Sequence, residues 1–327
     1  MPEYKPPFTL TNTILKLIAE ISEAIGRLSV QLECEQNLRL RRVNRMRTIQ
    51  GSLAIEGNTL SEEQITAILD GKRVVAPPKE VKEALNAISV YEQLDTWQPS
   101  SEQALLAAHK TLMTGLVEEV GSYRTGGVGV MSGDKVVHMA PQANRVAKLV
   151  SDLLEWLAHT DSHPLIASCV FHYEFEFIHP FADGNGRMGR LWQTLILSRW
   201  HPVFSHLPVE SLVYQHQDEY YQAIRQSTAQ TDSSPFIGFM LQMILDVLIE
   251  VQAEAVTTQK TTQKTTQKQK AILAYLQSNP GAGRREIAEA LGNITEDGVK
   301  YNLKKLQEFN LLKRVGSARS GHWEVQA

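Results

Sequence analysis

The chain has 327 residues, 43% hydrophobic and 21% charged, and carries a formal net charge of −3. That is the composition of a globular protein of about two domains, not of a disordered or fibrous chain. No uninterrupted run of about 18 apolar residues exists, which argues against a membrane span. The two cysteines, Cys34 and Cys169, stand too far apart to suggest a disulfide framework, and no Cys/His spacing points to zinc. The opening Met1-Pro2-Glu3-Tyr4-Lys5-Pro6-Pro7 lacks the apolar core of a signal peptide, so a cytoplasmic protein with reduced thiols is expected. Charge is unevenly spread. Residues 257–327 hold 12 Lys and Arg against 6 Asp and Glu, a basic module on an acidic body.

Apolar residues at 14, 17, 18, 21, 25, 28 and 32 repeat with helical spacing over residues 11–32. A second helix is expected from Leu38 to Glu56. Its arginines at 39, 41, 42, 45 and 47 read most simply as a solvated face with internal ion pairs. Gly57 is a natural stop for that helix. Ser61 caps a helix over 61–70, Lys79–Tyr91 is a further helix, and Ser101 caps one running to Met113. His109, inside that helix, reads as structural. Val128-Gly129-Val130-Met131 and Lys135-Val136-Val137-His138 flank Ser132-Gly133-Asp134, a hairpin signal. Tyr123 and Arg124, just before it, read as packing or support residues. An apolar stripe through Val146, Leu149, Val150, Leu153, Leu154 and Leu157 marks the next helix. His163-Pro164 opens one that is apolar nearly all round through Ile178, which places it at a domain centre with His172 as a core residue.

That helix delivers His179-Pro-Phe-Ala-Asp183-Gly-Asn-Gly-Arg-Met-Gly-Arg190. The proline disfavours helix at His179. Gly184 and Gly186 permit close backbone approach, and Asn185 is a suitable N-cap for a helix beginning near Gly186. Arg187 and Arg190 then share one face. Helix N-termini and arginine forks both bind phosphate. An aspartate beside phosphates suits Mg²⁺. A histidine can serve as a general base. Together these describe a site that transfers a phosphate-containing group to a nucleophile.

The second central helix continues to Trp200, Tyr220 and Tyr221 lie in a later helix, and Phe236–Val251 forms an apolar one. Three Thr-Thr-Gln-Lys repeats over 257–268 read as low complexity, a tether or an extension of the preceding helix, and paired threonines, which weaken helix, favour the tether. Residues 269–327 have the pattern of a winged helix-turn-helix: helices over 271–277, 284–291 and 296–309, then strands over 311–315 and 321–325. If it binds DNA, Lys300, Tyr301, Lys304 and Lys305 on the third helix are the candidates. Protein docking is the competing use. The domains expected are a helical region over 1–100, a core over 101–252, a linker over 253–268 and the winged module over 269–327.

Residues 179–190 resemble the signature of the Fic family, matching it at every specified position, and the likeness extends more loosely from about residue 10 to about 245. The resemblance implies a mainly α fold, a helical bundle with a small β-hairpin flap, and transfer of AMP from ATP to a Ser, Thr or Tyr hydroxyl of a target protein or of the enzyme itself. His179 would be the base and Asp183 the Mg²⁺ ligand. Gly184, Asn185, Gly186 and Gly189 would line the nucleotide site, with Arg187 and Arg190 on its phosphates and Tyr220 and Tyr221 walling the adenine. The flap, through Val128–Met131 and Lys135–Val137, would dock the target as an added strand. Ser52-Leu-Ala-Ile-Glu56-Gly57 resembles the inhibitory motif of such proteins, in which Glu56 would compete with ATP for Arg190. Removal of AMP from modified proteins, and a DNA-binding regulator with a nucleotide-sensing front domain, are the alternatives. The family also brings the expectation of a homodimer.

Overall fold

The computed structural model describes residues 4–32, 38–127, 129–132, 135–263, 266–308, 311–315 and 321–325. It divides into two compact units, Met1–Val251 and Gln252–Ala327. The separation expected near residue 100 does not appear, because both sides of it share one core. Met46, Ile49, Leu53, Ile65 and Ala87 pack in the same cluster as Leu112, Val150, Phe175 and Trp192.

The first unit is built on two central helices, α7 (Pro164–Ile178) and α8 (Asn185–Trp200). Ahead of them come α1 (Asn12–Leu32), α2 (Leu38–Ile55), α3 (Glu62–Leu69), α4 (Pro78–Glu92), α5 (Glu102–Met113) and α6 (Ala143–His159). After them come α9 (Val209–Gln215), α10 (Gln217–Gln230) and α11 (Ser234–Gln263). The apolar girdle of α7 has a direct explanation: the helix faces two cores at once. Leu165, Cys169, Val170 and Tyr173 join α1 and α11 on one side. Phe171, Phe175 and Ile178 join α2, α4, α5 and α8 on the other. Cys169 is fully buried, and burial pushes its thiol up to about 12, so it is an inert packing group. Cys34 lies outside the described residues.

Caps set several of the ends. Ser61 accepts from the Gln64 amide at 3.3 Å while Gln64 reaches back to Ser61 at 2.9 Å, a capping box. Ser101 accepts from the Ala104 amide at 3.2 Å. Three features escaped sequence reading, the short α9 and the 3-10 turns over Leu94–Thr96 and Pro202–His206, all too brief to show a period.

The hairpin pairs β1 (Gly129–Ser132) with β2 (Lys135–Met139), with Gly129 opposite Met139, Ser132 opposite Lys135, and a register irregularity between Val130 and Met131. Val128, Gly133 and Asp134 lie outside the described residues.

Helix α11 differs most from expectation. It does not end at Val251 but continues through Gln263, so the repeat region begins as helix and not as a tether. Ser234–Glu254 is long and apolar enough to cross a membrane by length and composition, and 56% of it is buried within the protein as a core helix. The third repeat has a structural use: Thr266 and Gln269 form the capping box that starts α12 (Gln267–Ser278). The second unit continues with α13 (Arg284–Leu291) and α14 (Glu296–Glu308), then β3 (Leu312–Val315) paired antiparallel with β4 (His322–Val325). Its core is Ile272, Leu276, Ile287, Val299, Leu303, Leu306 and Leu312. The Arg314 guanidinium lies 4.7 Å from the centre of the Trp323 ring.

Helix α2 is pressed onto α9 with no room for a side chain at Gly51. A Cβ there would stand 2.5 Å from the Ser211 nitrogen and 2.6 Å from the Glu210 carbonyl carbon, both main-chain atoms that cannot turn aside. Gly51→Ala is therefore expected to destabilise the protein by about 1–3 kcal/mol, the usual cost of overpacking. A denaturant midpoint equal to that of the wild type would contradict this contact.

Candidate active site

His179 is the C-cap of α7 and takes left-handed backbone, φ 50° and ψ 62°, with its amide on the Phe175 carbonyl at 2.9 Å. Pro180 closes the right-handed helical region to it, and the chain turns out of the helix at that residue. The return into α8 is made by Gly184, whose φ of 83° favours glycine. Gly184, and not Asn185, is the N-cap of α8. Asn185 is instead the first helical residue, and its buried side chain is spent on the loop itself. Its Nδ2 donates to the Phe181 carbonyl at 2.9 Å, and its Oδ1 accepts from the Phe181 amide at 2.8 Å. What Asn185 can still offer a phosphate is its main-chain amide, one of those at the start of α8 that have no intrahelical acceptor.

The loop is held from outside as well. The His109 ring stacks on Phe181 with centroids 3.6 Å apart and planes 4° from parallel. The Gly121 amide donates to His109 Nδ1 at 3.0 Å, which leaves Nε2 to carry the proton donated to the Asp183 carbonyl at 3.1 Å. Burial pulls the His109 pKa down and keeps the ring neutral. Arg124 donates to the His179 carbonyl at 2.7 Å.

Arg190 is only 3% exposed and meets the last turn of α2. Its Nε donates to Ser52 Oγ at 3.2 Å and its Nη2 to the Ser52 carbonyl at 3.0 Å. Nη2 also donates to Glu56 Oε1 at 2.7 Å. Burial alone would lower the Arg190 pKa, but the Glu56 carboxylate, together with Tyr220 and Glu176, holds the guanidinium above its ordinary value. Glu56 follows directly on Ile55, and Gly57, at φ 88°, turns the chain away. The carboxylate lies over the first turn of α8, where a Cβ on Gly186 would overlap it. A second acidic residue braces that turn. Glu83 Oε2 accepts from Asn58 Nδ2 at 2.8 Å, and Glu83 Oε1 stands 3.6 Å from Arg187 Nη1. Gln217 Nε2 donates to the Ile55 carbonyl at 2.9 Å. Arg187 also faces Asp183 at 3.4 Å, and its Nε is buried with no hydrogen-bond partner among the described residues.

Three buried ionisable groups surround Arg190. Glu176 is pushed up to about 7, first by burial and further by Glu56, with Arg190 working against both. Its Oε2 lies 3.7 Å from His179 Nδ1, and that nitrogen is 3.3 Å from the Glu176 carbonyl. Glu210 is likewise pushed up to about 7 by burial. His172 is pushed down to about 3, chiefly by burial, and is neutral. Its Nδ1 pairs with Gln193 Oε1 at 2.7 Å and its Nε2 with the Tyr220 hydroxyl at 3.1 Å. Tyr220 is therefore a core residue, 2% exposed and packed on Phe236, and cannot present a face to a nucleotide. Tyr221 is half-buried beside it and keeps that option.

Asp183 has a carboxylate 52% exposed, held on one oxygen by the Gly184 amide at 2.6 Å. Among the described residues no cluster of three His, Cys, Asp or Glu could hold a metal alone. One exposed carboxylate beside a bed of phosphate donors fits Mg²⁺ that shares its shell with phosphate and water. Gly129, Val130 and Met131 lie on β1, and Lys135, Val136 and Val137 on β2. Lys300, Tyr301 and Lys304 are exposed on α14 and Lys305 is half-buried, all in the second unit. Sequence reasoning assigned no role at the site to Glu83, Glu176 or Gln217. Only Glu176 left a signal, as one of two carboxylates, with Glu174, inside a largely apolar helix.

The Fic/DOC family model matches residues 98–197. The protein adenylyltransferase Fic of Nematostella vectensis is 30% identical over 204 residues, which cover 59% of this chain and 45% of that protein. The protein adenylyltransferase fic-1 of Caenorhabditis elegans is 30% identical over 204 residues, covering 58% of this chain and 37% of that protein. The chain thus spans less than half the length of these curated relatives. A crystal structure of a Fic family protein from Desulfovibrio desulfuricans G20 is 46% identical, with a TM-score of 0.79, and the match covers 99% of this chain and 98% of that one. Fic-1 of C. elegans, at 22% identity and a TM-score of 0.60, shares the fold. With the signature loop between two central helices and a full-length match of this quality, the chain belongs to the Fic/DOC family.

Proposed function

We propose that the protein is a protein adenylyltransferase held in check by Glu56. The observation that carries the reading is the Glu56 carboxylate on Arg190, over the first turn of α8. A carboxylate stands there in a position built for phosphate oxygens, with a guanidinium fork and free main-chain amides facing it. The names of the relatives supply the donor and the acceptor.

On this reading the α8 N-terminus cradles the phosphates of ATP, with Arg187 and Arg190 on the outer ones. Asp183 would hold Mg²⁺, which supplies charge neutralisation at the phosphates when bound. The hairpin adds the target segment as a strand and brings its hydroxyl to His179. Nδ1 of His179 faces back to Glu176, which leaves Nε2 to take the hydroxyl proton. The hydroxyl oxygen bonds to the α-phosphorus, the bond from that phosphorus to the bridging oxygen breaks, and pyrophosphate departs. Catalysis is by position and charge, as in other phosphoryl transfers. With Glu56 on Arg190 the outer phosphate loses its partner, and ATP binds weakly or out of line.

The second unit reads as a winged helix-turn-helix for DNA. The surplus of Lys and Arg over residues 257–327 and the exposed Lys300, Tyr301 and Lys304 on one helix support it.

Incubation with Mg²⁺ and ATP labelled on the α-phosphate tests the first reading. Glu56→Gly is expected to label protein at least about tenfold faster than wild type, since one guanidinium–phosphate contact is regained. Adding His179→Ala to that variant is expected to cost roughly 100-fold or more. Equal labelling by wild type and Glu56→Gly would reject the inhibitory role, and undiminished labelling without His179 would reject the base. For the second unit, a mobility shift of the full chain on duplex DNA is expected to weaken steeply with salt. Lys300→Glu with Lys304→Glu is expected to lower the salt slope by about two. No complex at about 50 mM salt would turn the reading to protein docking.

A further inference from the structure

We infer that Arg124 is a positioning residue that locks the β1–β2 hairpin to the main chain of the catalytic loop, so that an acceptor docked on the hairpin arrives in register with His179. The inference rests on the transfer reading for its consequence, and on the arrangement of five hydrogen bonds for its substance.

Arg124 lies between α5 and β1 and is 3% exposed. Its Nε donates to the His179 carbonyl at 2.7 Å, and its Nη2 to the Ile178 carbonyl at 3.3 Å. Its own amide donates to the Pro180 carbonyl at 2.9 Å. The other donors turn to the hairpin. Nη1 reaches the Gly126 carbonyl at 2.8 Å, three residues before β1. Nη2 reaches the Pro141 carbonyl at 2.5 Å, two residues after β2. One side chain therefore ties together both stalks of the hairpin and the carbonyls of Ile178 and His179, and the amide of the same residue adds Pro180.

Every acceptor is a main-chain carbonyl, and no carboxylate pairs with Arg124 among the described residues. A buried charge without a counter-ion is tolerated only where dipoles replace one. Here the carbonyls of Ile178 and His179 belong to the C-terminus of α7, the negative end of its dipole. Helix α7 ends in a left-handed residue, so those carbonyls have no further turn to bond. Arg124 caps the helix and, with the same planar fork, holds the hairpin. Lysine could keep the charge but not the fork, because a single ammonium cannot reach carbonyls on both sides at once. Packing alone would need the aliphatic stem and leave the donors in water. Nothing in the arrangement touches Arg187, Arg190 or Asp183, so ATP affinity should be indifferent to it.

The test is made in full-length Glu56→Gly protein. Arg124→Lys is expected to lower the maximal rate of self-labelling from α-labelled ATP about tenfold, and Arg124→Gln roughly 100-fold, as displacement of a reacting group by an ångström does. Affinity for Mg·ATP, read by calorimetry, is expected to stay within about twofold, because the phosphate donors do not move. A rate left near the parent's would overturn the inference. So would a loss of rate matched by a loss of ATP affinity, which marks a general structural role. Hydrogen exchange of the same proteins needs no activity. Amides over 125–140 are expected to exchange several-fold faster in Arg124→Lys, while those of α11 over 236–248 stay unchanged. Unchanged exchange over 125–140 would overturn the brace. If the Glu56→Gly parent transfers no AMP, the transfer reading falls, and the exchange result still decides the role of Arg124.

Discussion

A guanidinium buried as deeply as that of Arg190 is tolerable only if acceptors surround it. Its position therefore constrains everything that supplies those acceptors. Ser52 and Glu56 are one helical turn apart at the end of α2, and both point at Arg190. The turn cannot drift, because Gly51 seats α2 on the α9 backbone and Gln217 takes the Ile55 carbonyl. Any occupant that displaces Glu56 must bring an anion of its own, or leave the charge uncompensated. The same requirement that stabilises the present arrangement also selects what can replace it.

The charges around Arg190 are few for the number of ionisable groups. Glu176 and Glu210 both lie close, yet burial pushes each up to about 7, so neither is a strong counter-ion in neutral solution. His172 is held neutral by burial and by bonds to Gln193 and Tyr220. Glu56, its side chain 34% exposed, is the partner in direct contact, and its contact is the shortest that Arg190 makes. A carboxylate that can reach water is the one that can leave at low cost. Fully buried ones, such as Glu176, are fixed by the core around them. Exchange between carboxylate and phosphate thus needs motion only of the Glu56 side chain.

Much of this was legible in the sequence because the functional stretch is local. The order of residues 179–190 gave the loop, the helix start and two arginines on one face. The nearly continuous apolar run after His163-Pro164 marked α7, the signature stretch marked the start of α8, and Gly57 marked the end of α2. The misreadings share a cause. Asn185 was read as a cap from its residue type, but Gly184 is the cap and the Asn185 side chain faces Phe181, a loop contact with no sequence pattern. The repeats were read as a tether from their threonines, but α11 carries helix through them to Gln263. Intrinsic propensity is a weak prior against a preceding helix already nucleated. Tyr220 and Tyr221 are adjacent, and only packing against Phe236 separates a core tyrosine from an accessible one.

Arg124 and His109 were read as support and structural residues, but what they support was not legible, for a physical reason. His109, Asn185 and Arg124 act on main-chain atoms, on Asp183, on Phe181 and on Ile178 to Pro180. A main-chain carbonyl is offered by every residue, so the partner leaves no mark in the sequence, and the supporting residue is a helix, loop or helix-start position of ordinary kind. The division of labour has a chemical advantage. Side chains fix the backbone, and the fixed backbone then presents amides at the start of α8 with no acceptor of their own. Amides oriented in advance bind a phosphate without reorganising, whereas flexible side chains in the same places would lose entropy on binding. The loop is therefore held through its main chain, and the partly exposed partner of Arg190 is the glutamate that follows α2.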